Sequence, residues 1–245
     1  VAFIEREKAD PFFLYLAYNA VHAPAQAPKD DIARFQKKFP NITKKRAVLM
    51  AMLHHLDLGV GSVTTKLKKE GLWENTLLVF LTDNGGAKAM DANNGKLKGF
   101  KGSLSEGGIR TPWIMSWPAR FEGARVIDTP DVSLDILPTA LDATGAKAPE
   151  GTRFDGKSLL PLLTGKASTH HETLFWHSGE SKGEWAVRQD RWKAHGLKKR
   201  VALYDLSSDP TETNDLSGSK PDIARKLTEL QATWHQSVQA SANGG

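Results

Sequence analysis

The 245-residue sequence predicts an α/β protein: a mixed sheet flanked by helices, then a small antiparallel β-sheet with a C-terminal helix. Three observations predict it. Two apolar runs, Pro11 to Tyr18 and Leu77 to Leu81, bracket a long stretch of helical period. From Glu172 the apolar period falls to two, with turn-forming breaks between short runs. After Pro221 the helical spacing returns.

In order, Val1 to Glu7 has neither an initiator Met nor the charged and apolar regions of a signal peptide. It reads as the end of a helix running into Asp10-Pro11, which makes the chain the expected carboxyl-terminal part of something longer. PFFLYLAY, Pro11 to Tyr18, predicts a central strand with Pro at its start, where no ladder donor is needed. A short helix is predicted from Lys29 to Lys38. From Thr43, a candidate N-cap, Val48, Leu49, Met52, Leu53, Leu56, Val60, Val63 and Leu67 keep helical spacing up to Gly71, a candidate C-cap. Gly59 and Gly61 weaken its middle and allow close packing on the sheet. His54 and His55 point about 100° apart on that helix, so a structural role is expected rather than a shared metal. Strand, helix, strand from Pro11 to Leu81 forms one crossover unit and implies parallel pairing.

Leu77 to Leu81 ends in Thr82-Asp83-Asn84-Gly85-Gly86, which places two hard oxygen donors side by side where a buried strand stops. In open α/β sheets ligands bind at that edge, and such oxygens suit Ca²⁺ or Mg²⁺. A polar loop follows, with Lys96, Lys98 and Lys101 among Gly95, Gly99 and Gly102. Glycines let backbone approach a ligand and lysines supply charge for an anion. Together they suit a metal-bound phosphate or sulfate ester. The same residues also make ordinary turns and solvated loops.

Trp113 to Trp117 predicts another short strand. Asp131 to Ala143 predicts an amphipathic helix kinked at Pro138. Gly151 to Gly165 reads as a loop with a short helix. Four runs (173–177, 185–188, 191–195 and 202–206) predict an antiparallel meander with a tight turn at Gln189-Asp190, and Leu206 to Pro210 turns out of it. Ile223, Leu227, Leu230 and Trp234 form the stripe of a closing helix that begins at Pro221.

Composition narrows the function classes. With 40% hydrophobic and 25% charged residues the chain reads as a globular domain, and no apolar run approaches the roughly 20 residues of a membrane span. A net charge of +5 fits an anionic substrate or a polyanion without choosing between them. The absence of cysteine excludes disulfides, thiolate metal sites and thiol nucleophiles.

The motifs resemble the type I sulfatases of the alkaline-phosphatase-like superfamily. LTDNGG followed by GFKGSLSEGGIRTPWIMSWP matches the family's pattern of apolar strand, Asp-Asn-Gly, variable loop and Lys-Gly-x-x-x-Glu-Gly-Gly-x-Arg-x-Pro, here with Lys101, Gly102, Glu106, Gly107, Gly108, Arg110 and Pro112. Pro-Phe-Phe, strand, then His-x-Pro is also similar, with His22 as the histidine, and the likeness extends from about Pro11 to Trp234. The resemblance implies hydrolysis of sulfate monoesters, with Asp83 and Asn84 as two ligands of a divalent metal, Ca²⁺ or Mg²⁺. It implies Lys101 and His22 as substrate-binding and catalytic residues, His22 acting as a general acid. It also implies a formylglycine nucleophile and two consecutive aspartates upstream of this chain, so the chain alone is expected to be inactive and metal-poor. Ser116-Trp117-Pro118-Ala119-Arg120 fits the nucleophile expression but follows the Asp-Asn-Gly motif, so it is read as the end of a strand.

The expected division is residues 1–165, part of the large sulfatase domain, and 166–245, a small α+β subdomain. A sulfated small molecule or sulfated glycan is the expected partner, with no nucleic acid and no membrane span, and with self-association through an incomplete sheet. The family suggests a periplasmic, secreted or lysosomal setting. The rival readings are a metal-dependent phosphoesterase or phosphodiesterase of the same superfamily, and a non-catalytic basic polyanion-binding module, which would interleave lysines with aromatics on one surface.

Overall fold

The computed structural model describes residues 1–179 and 181–242. It divides into two compact units. The first comprises Val1–Leu81, Gly86–Asn93 and Trp113–Ala124; the second comprises Thr82–Gly85, Asn94–Pro112 and the chain from Arg125 onward.

In the first unit, α1 (Ala2–Glu7), α2 (Lys29–Lys38) and α3 (Lys44–Lys69) accompany a two-stranded sheet of β1 (Leu78–Leu81) and β2 (Trp113–Ser116). Thr43 caps α3 as its sequence predicts: its Oγ1 accepts the Arg46 amide at 3.0 Å. The helix closes in a Schellman pattern, with Leu72 N donating to Leu67 O and Gly71 N to Lys68 O. Leu49 and Met52 of α3 form a core with Met90, against which Val21, Ala27 and Val48 pack. By length and mean hydropathy α3 could cross a membrane, although no single apolar run in it is that long. A single helix of this kind is weak evidence of a span, because the core helix of a soluble protein matches it in length and hydropathy; 22% of the most apolar window of α3 is buried. Lys66 near its end pairs with Glu70 at 2.6 Å, and Lys8 reaches Glu70 at 2.9 Å. These two lysines, Lys66 first, pull the Glu70 carboxyl down to about 2.

Two expectations fail here. Residues 11–19 form no strand, and the parallel crossover is not made; β1 pairs with β2 antiparallel, Leu78 opposite Ser116 and Leu81 opposite Trp113. An apolar run signals a strand only through the ladder it can join, and no described strand of this chain runs beside this one. Phe13 and Tyr15 accordingly stand 77% and 81% exposed. The segment is held elsewhere by side chains. Phe12 meets Phe3 edge-on at 5.6 Å, and the Tyr18 ring lies so close to Gly59 that an added Cβ would meet its hydroxyl at 2.9 Å. The close packing allowed by Gly59 is therefore to a tyrosine, while Gly61 faces open space.

In the second unit, β3 (Thr173–His177), β4 (Glu184–Gln189), β5 (Trp192–Leu197) and β6 (Arg200–Asp205) form the antiparallel meander in sequence order. Gln189 pairs with Trp192, so the tight turn is Asp190-Arg191, one residue beyond its predicted place. The closing helix α7 (Pro221–Ala242) lies on β4, β5 and β6. Val187, Ala194, Leu203 and Leu227 make the core, and Trp234 stacks on Phe175 with centroids 5.0 Å apart. α4 (Glu106–Ile109), α5 (Ile136–Thr144) and α6 (Leu160–Leu163) complete the unit. Helix α5 starts later than predicted, after a 3₁₀ turn at Ser133–Asp135. Pro138 thus falls in its first turn, where a missing amide costs no hydrogen bond, and the expected kink has no cause.

Candidate active site

The second unit builds the Asp-Asn-Gly turn against the glycine-rich loop, backbone to backbone. Gly85 N donates to Gly108 O at 2.9 Å, and Gly107 N donates to Lys98 O at 2.7 Å. No Cβ fits in this seam. One on Gly85 would lie 1.8 Å from Gly107 O, and one on Gly107 would lie 2.6 Å from both Gly99 O and Lys98 O. The glycines of both motifs are therefore explained by close approach of chain to chain.

That seam fixes Asp83 and Asn84. Asn84 Nδ2 donates to Gly85 O at 3.0 Å, which commits the amide nitrogen and leaves Oδ1 as the atom for a ligand. Asp83 is exposed, and its carboxylate makes no hydrogen bond or ion pair among the described residues. Lys101, at the tip of the loop, is likewise exposed, with an ammonium that has no protein partner among the described residues. Lys98 is different. Its Nζ donates to Glu212 O at 3.1 Å and sits 5.3 Å from the centroid of the Tyr204 ring, so this lysine is spent on the fold.

The loop around Lys101 is tied down by residues that sequence reasoning missed. Glu106, 3% exposed, accepts from Lys193 Nζ of β5 at 2.8 Å. Glu212 Oε2 accepts the Glu106 amide at 2.7 Å, while its Oε1 lies 2.9 Å from Lys193 Nζ as an ion pair off the hydrogen-bonding direction. Lys193 is fully buried between two carboxylates. Further ties are Glu184 Oε1, which accepts the Leu104 amide at 2.9 Å and meets His195 Nε2 at 2.8 Å, and Lys182, whose Nζ donates to Gly102 O at 3.2 Å. Beside this cluster, burial lowers the Arg188 guanidinium, against the pull of Glu106. Glu106 was legible only as part of a motif. Lys193 reads as an ordinary strand residue, because one of its partners, Glu106, lies 87 residues away in sequence and the other, Glu212, lies beyond the next strand.

His22 belongs to the first unit. It lines a shallow pocket of about 520 Å³ with Asn19, Pro24, Met52 and His55. A carbonyl can only accept, so the 2.8 Å contact of Nδ1 with Ala23 O places a proton on Nδ1. Nε2 is then the nitrogen left for a ligand: an acceptor in the neutral ring, a donor only in the charged one. His55 meets Asp31 at 2.8 Å and His54 packs edge-on to Phe35, so the adjacent histidines go to different partners. Ser116 is paired within β2, opposite Leu78.

Comparison with known proteins shows the family. The pattern described as "Sulfatase" matches residues 1–146, and that described as "N-sulphoglucosamine sulphohydrolase, C-terminal" matches residues 100–241. The chain belongs to the sulfatase family. This sulfatase chain is 31% identical to human arylsulfatase A over 90% of its length, covering 48% of that protein. It is 32% identical to human steryl-sulfatase over 97% of its length, covering 46%. It thus spans about half the length of these relatives. The crystal structure of Ps i-CgsB in complex with k-i-k-neocarrahexaose superposes with a TM-score of 0.87 at 33% identity, over 95% of this chain and 52% of that one. A phosphonate monoester hydrolase from Silicibacter pomeroyi shares the fold alone, at TM-score 0.58 and 23% identity.

Proposed function

We propose that this chain supplies part of a centre that hydrolyses sulfate monoesters. The observation that carries the reading is the seam of Gly85 with Gly107 and Gly108, which holds two unspent oxygens, on Asp83 and Asn84, on the same backbone scaffold as the Lys101 loop. The donors fit a hard divalent cation, Ca²⁺ or Mg²⁺: one charged oxygen without a protein partner, one neutral oxygen whose amide is already committed. When bound, such an ion polarises the ester oxygens. Two ligands are a fraction of the roughly six or more oxygens it takes, so further donors must come from outside these residues.

Lys101 sets a cation where charge develops on the ester, and its partner-free ammonium has no competing ion pair to break. His22, in the first unit, keeps the general-acid role that the family resemblance implies, with Nε2 as the nitrogen left for a ligand. The chain has no cysteine, and Ser116 follows the Asp-Asn-Gly motif at the end of β2, so no residue here is assigned as nucleophile; the family resemblance implies a formylglycine outside this chain. The proposed substrate is a sulfated small molecule or a sulfated glycan, a choice supported by the carbohydrate in the complex at 33% identity.

The test is hydrolysis of 4-nitrophenyl sulfate. The chain alone should show none, with or without Ca²⁺. Joined to an upstream sulfatase half that carries the nucleophile, it should turn over. There Lys101→Ala should lower the rate by about 10²–10³-fold, and Asp83→Ala should weaken both rate and metal binding. Full activity of the joined protein with Lys101→Ala, or its loss with Ser116→Ala, would overturn the assignment.

A further inference from the structure

A second group of ligating side chains surrounds Asp135, and nothing in the hydrolytic reading uses it. Asp135 ends the 3₁₀ turn before α5 and is fully buried. Its carboxylate is aimed by two backbone amides: Val132 N donates to Oδ2 at 3.0 Å and Lys157 N to Oδ1 at 2.8 Å. Two consecutive histidines complete the cluster. His170 Nε2 lies 3.0 Å from Oδ2, and His171 Nε2 lies 2.8 Å from Oδ1 and 3.0 Å from Oδ2. Their side chains are 5% and 7% exposed. The rings stand at 76° to each other with centroids 4.4 Å apart, so neighbours in sequence reach one point from two directions.

We propose that Asp135, His170 and His171 form a binding site for a single borderline-soft divalent metal ion, of which Zn²⁺ is the type. One ligand atom from each residue lies within 4.8 Å of the others. Around a tetrahedral zinc with bonds of about 2.0–2.2 Å, ligand atoms stand roughly 3.4 Å apart, so the present spacings need to open by about half an ångström. Two imidazoles and one carboxylate are a recurrent zinc set, with water in the fourth position. The amides of Val132 and Lys157 orient the carboxylate as outer partners orient metal ligands. Charge points the same way. A buried carboxylate is costly without a countercharge, and among the described residues no Lys or Arg side chain is hydrogen-bonded to this one. Two further charges lie nearby: the Asp131 carboxylate, whose field reaches Asp135 and His171, and the Lys157 ammonium, which donates to His170 O at 3.4 Å. The donor set differs from that of Asp83 and Asn84, whose oxygens favour harder ions.

The test is metal binding to the chain itself, stripped with a chelator and titrated at neutral pH with Zn²⁺, and with Co²⁺ followed by its visible absorption. We expect one ion per chain, retained against millimolar Ca²⁺. His170→Gln and His171→Gln should each weaken binding at least tenfold, on the scale on which even outer partners of a metal cost about 10–100-fold. Glutamine keeps a donor for Asp135, and unchanged circular dichroism would show that the fold is intact. Failure to retain an ion would overturn the proposal and leave a hydrogen-bonded cluster of protons only. Equal retention by the double variant would overturn it too, by placing the ion on other histidines.

Discussion

Replacing Lys193 by Met would remove the cation that bridges Glu106 and Glu212 while keeping most of the side-chain volume. Lys193 is fully buried, and its partners' side chains are 4% and 0% exposed, so water cannot take over its role. Removing one member of a buried ion pair costs about 3–5 kcal/mol, because the partner's charge is left uncompensated. Here two carboxylates would be stranded, which puts the expected loss at the upper end of that range. By contrast, breaking the exposed Arg225–Asp222 pair, 69% and 84% exposed, should change stability by less than about 1 kcal/mol. Urea denaturation followed by tryptophan fluorescence would measure both. The loss for Lys193→Met should also be larger at pH 8 than at pH 5. A stranded carboxylate can take up a proton, and a folded state that binds protons more tightly is destabilised as pH rises. A cost below about 1 kcal/mol, or one that does not change with pH, would refute the view that this ion triad anchors the Lys101 loop.

Gly107→Ala should destabilise the second unit by about 1–3 kcal/mol or more, because its Cβ would meet two carbonyl oxygens that are backbone; a variant as stable as the parent in the same denaturation would mean the seam is slack. Burial and the Asp135 charge push the Asp131 carboxyl up to about 6, so its folded form favours the proton: its contribution is favourable below the unfolded value near 3.8 and is lost as pH rises through about 6. Asp131→Asn should therefore stabilise the protein at pH 7, by at most about 3 kcal/mol and by less where solvent screens the group, with little change at pH 4; an equal effect at both would exclude this cause. Glu70 acts in the opposite sense, its contribution being present above about 4.5 and lost as pH falls through about 2. Phe13, Tyr15 and Leu16 are exposed in a segment without a strand partner, so light scattering should show association of chain copies that Tyr15→Lys reduces; a monomer at all concentrations would count against it.

Much of the fold was legible because its signals are local. The cap at Thr43, the stripe of α3 and the alternation of β3 to β6 depend on residues a few positions apart, and each element forms within about two residues of its predicted place. Residues 11–19 carry an equally clear strand signal, yet a strand is a relation between two segments, and one segment cannot show that its neighbour is present. The site divides in the same way. The Asp-Asn-Gly turn and the Lys101 loop announce themselves by composition. What holds them does not: Glu106, Lys193 and Glu212 are charged residues that would each pass for surface groups, and only the fold buries them together. Likewise His170-His171 reads as polar loop until Asp135 is brought beneath it.

The distance along the chain between Glu106 and its anchors sets an order of events during synthesis. Lys193 follows Glu106 by 87 residues, and Glu212 follows it by 106. At about 5–20 residues per second, the ribosome releases those partners roughly 5–20 s after the loop itself. For that interval the glycine-rich loop exists without its ties, and the Glu106 carboxylate is free in water. The loop can reach its final geometry only once β5 and the turn before α7 have emerged, so the part of the chain that carries Lys101 is made well before it is set.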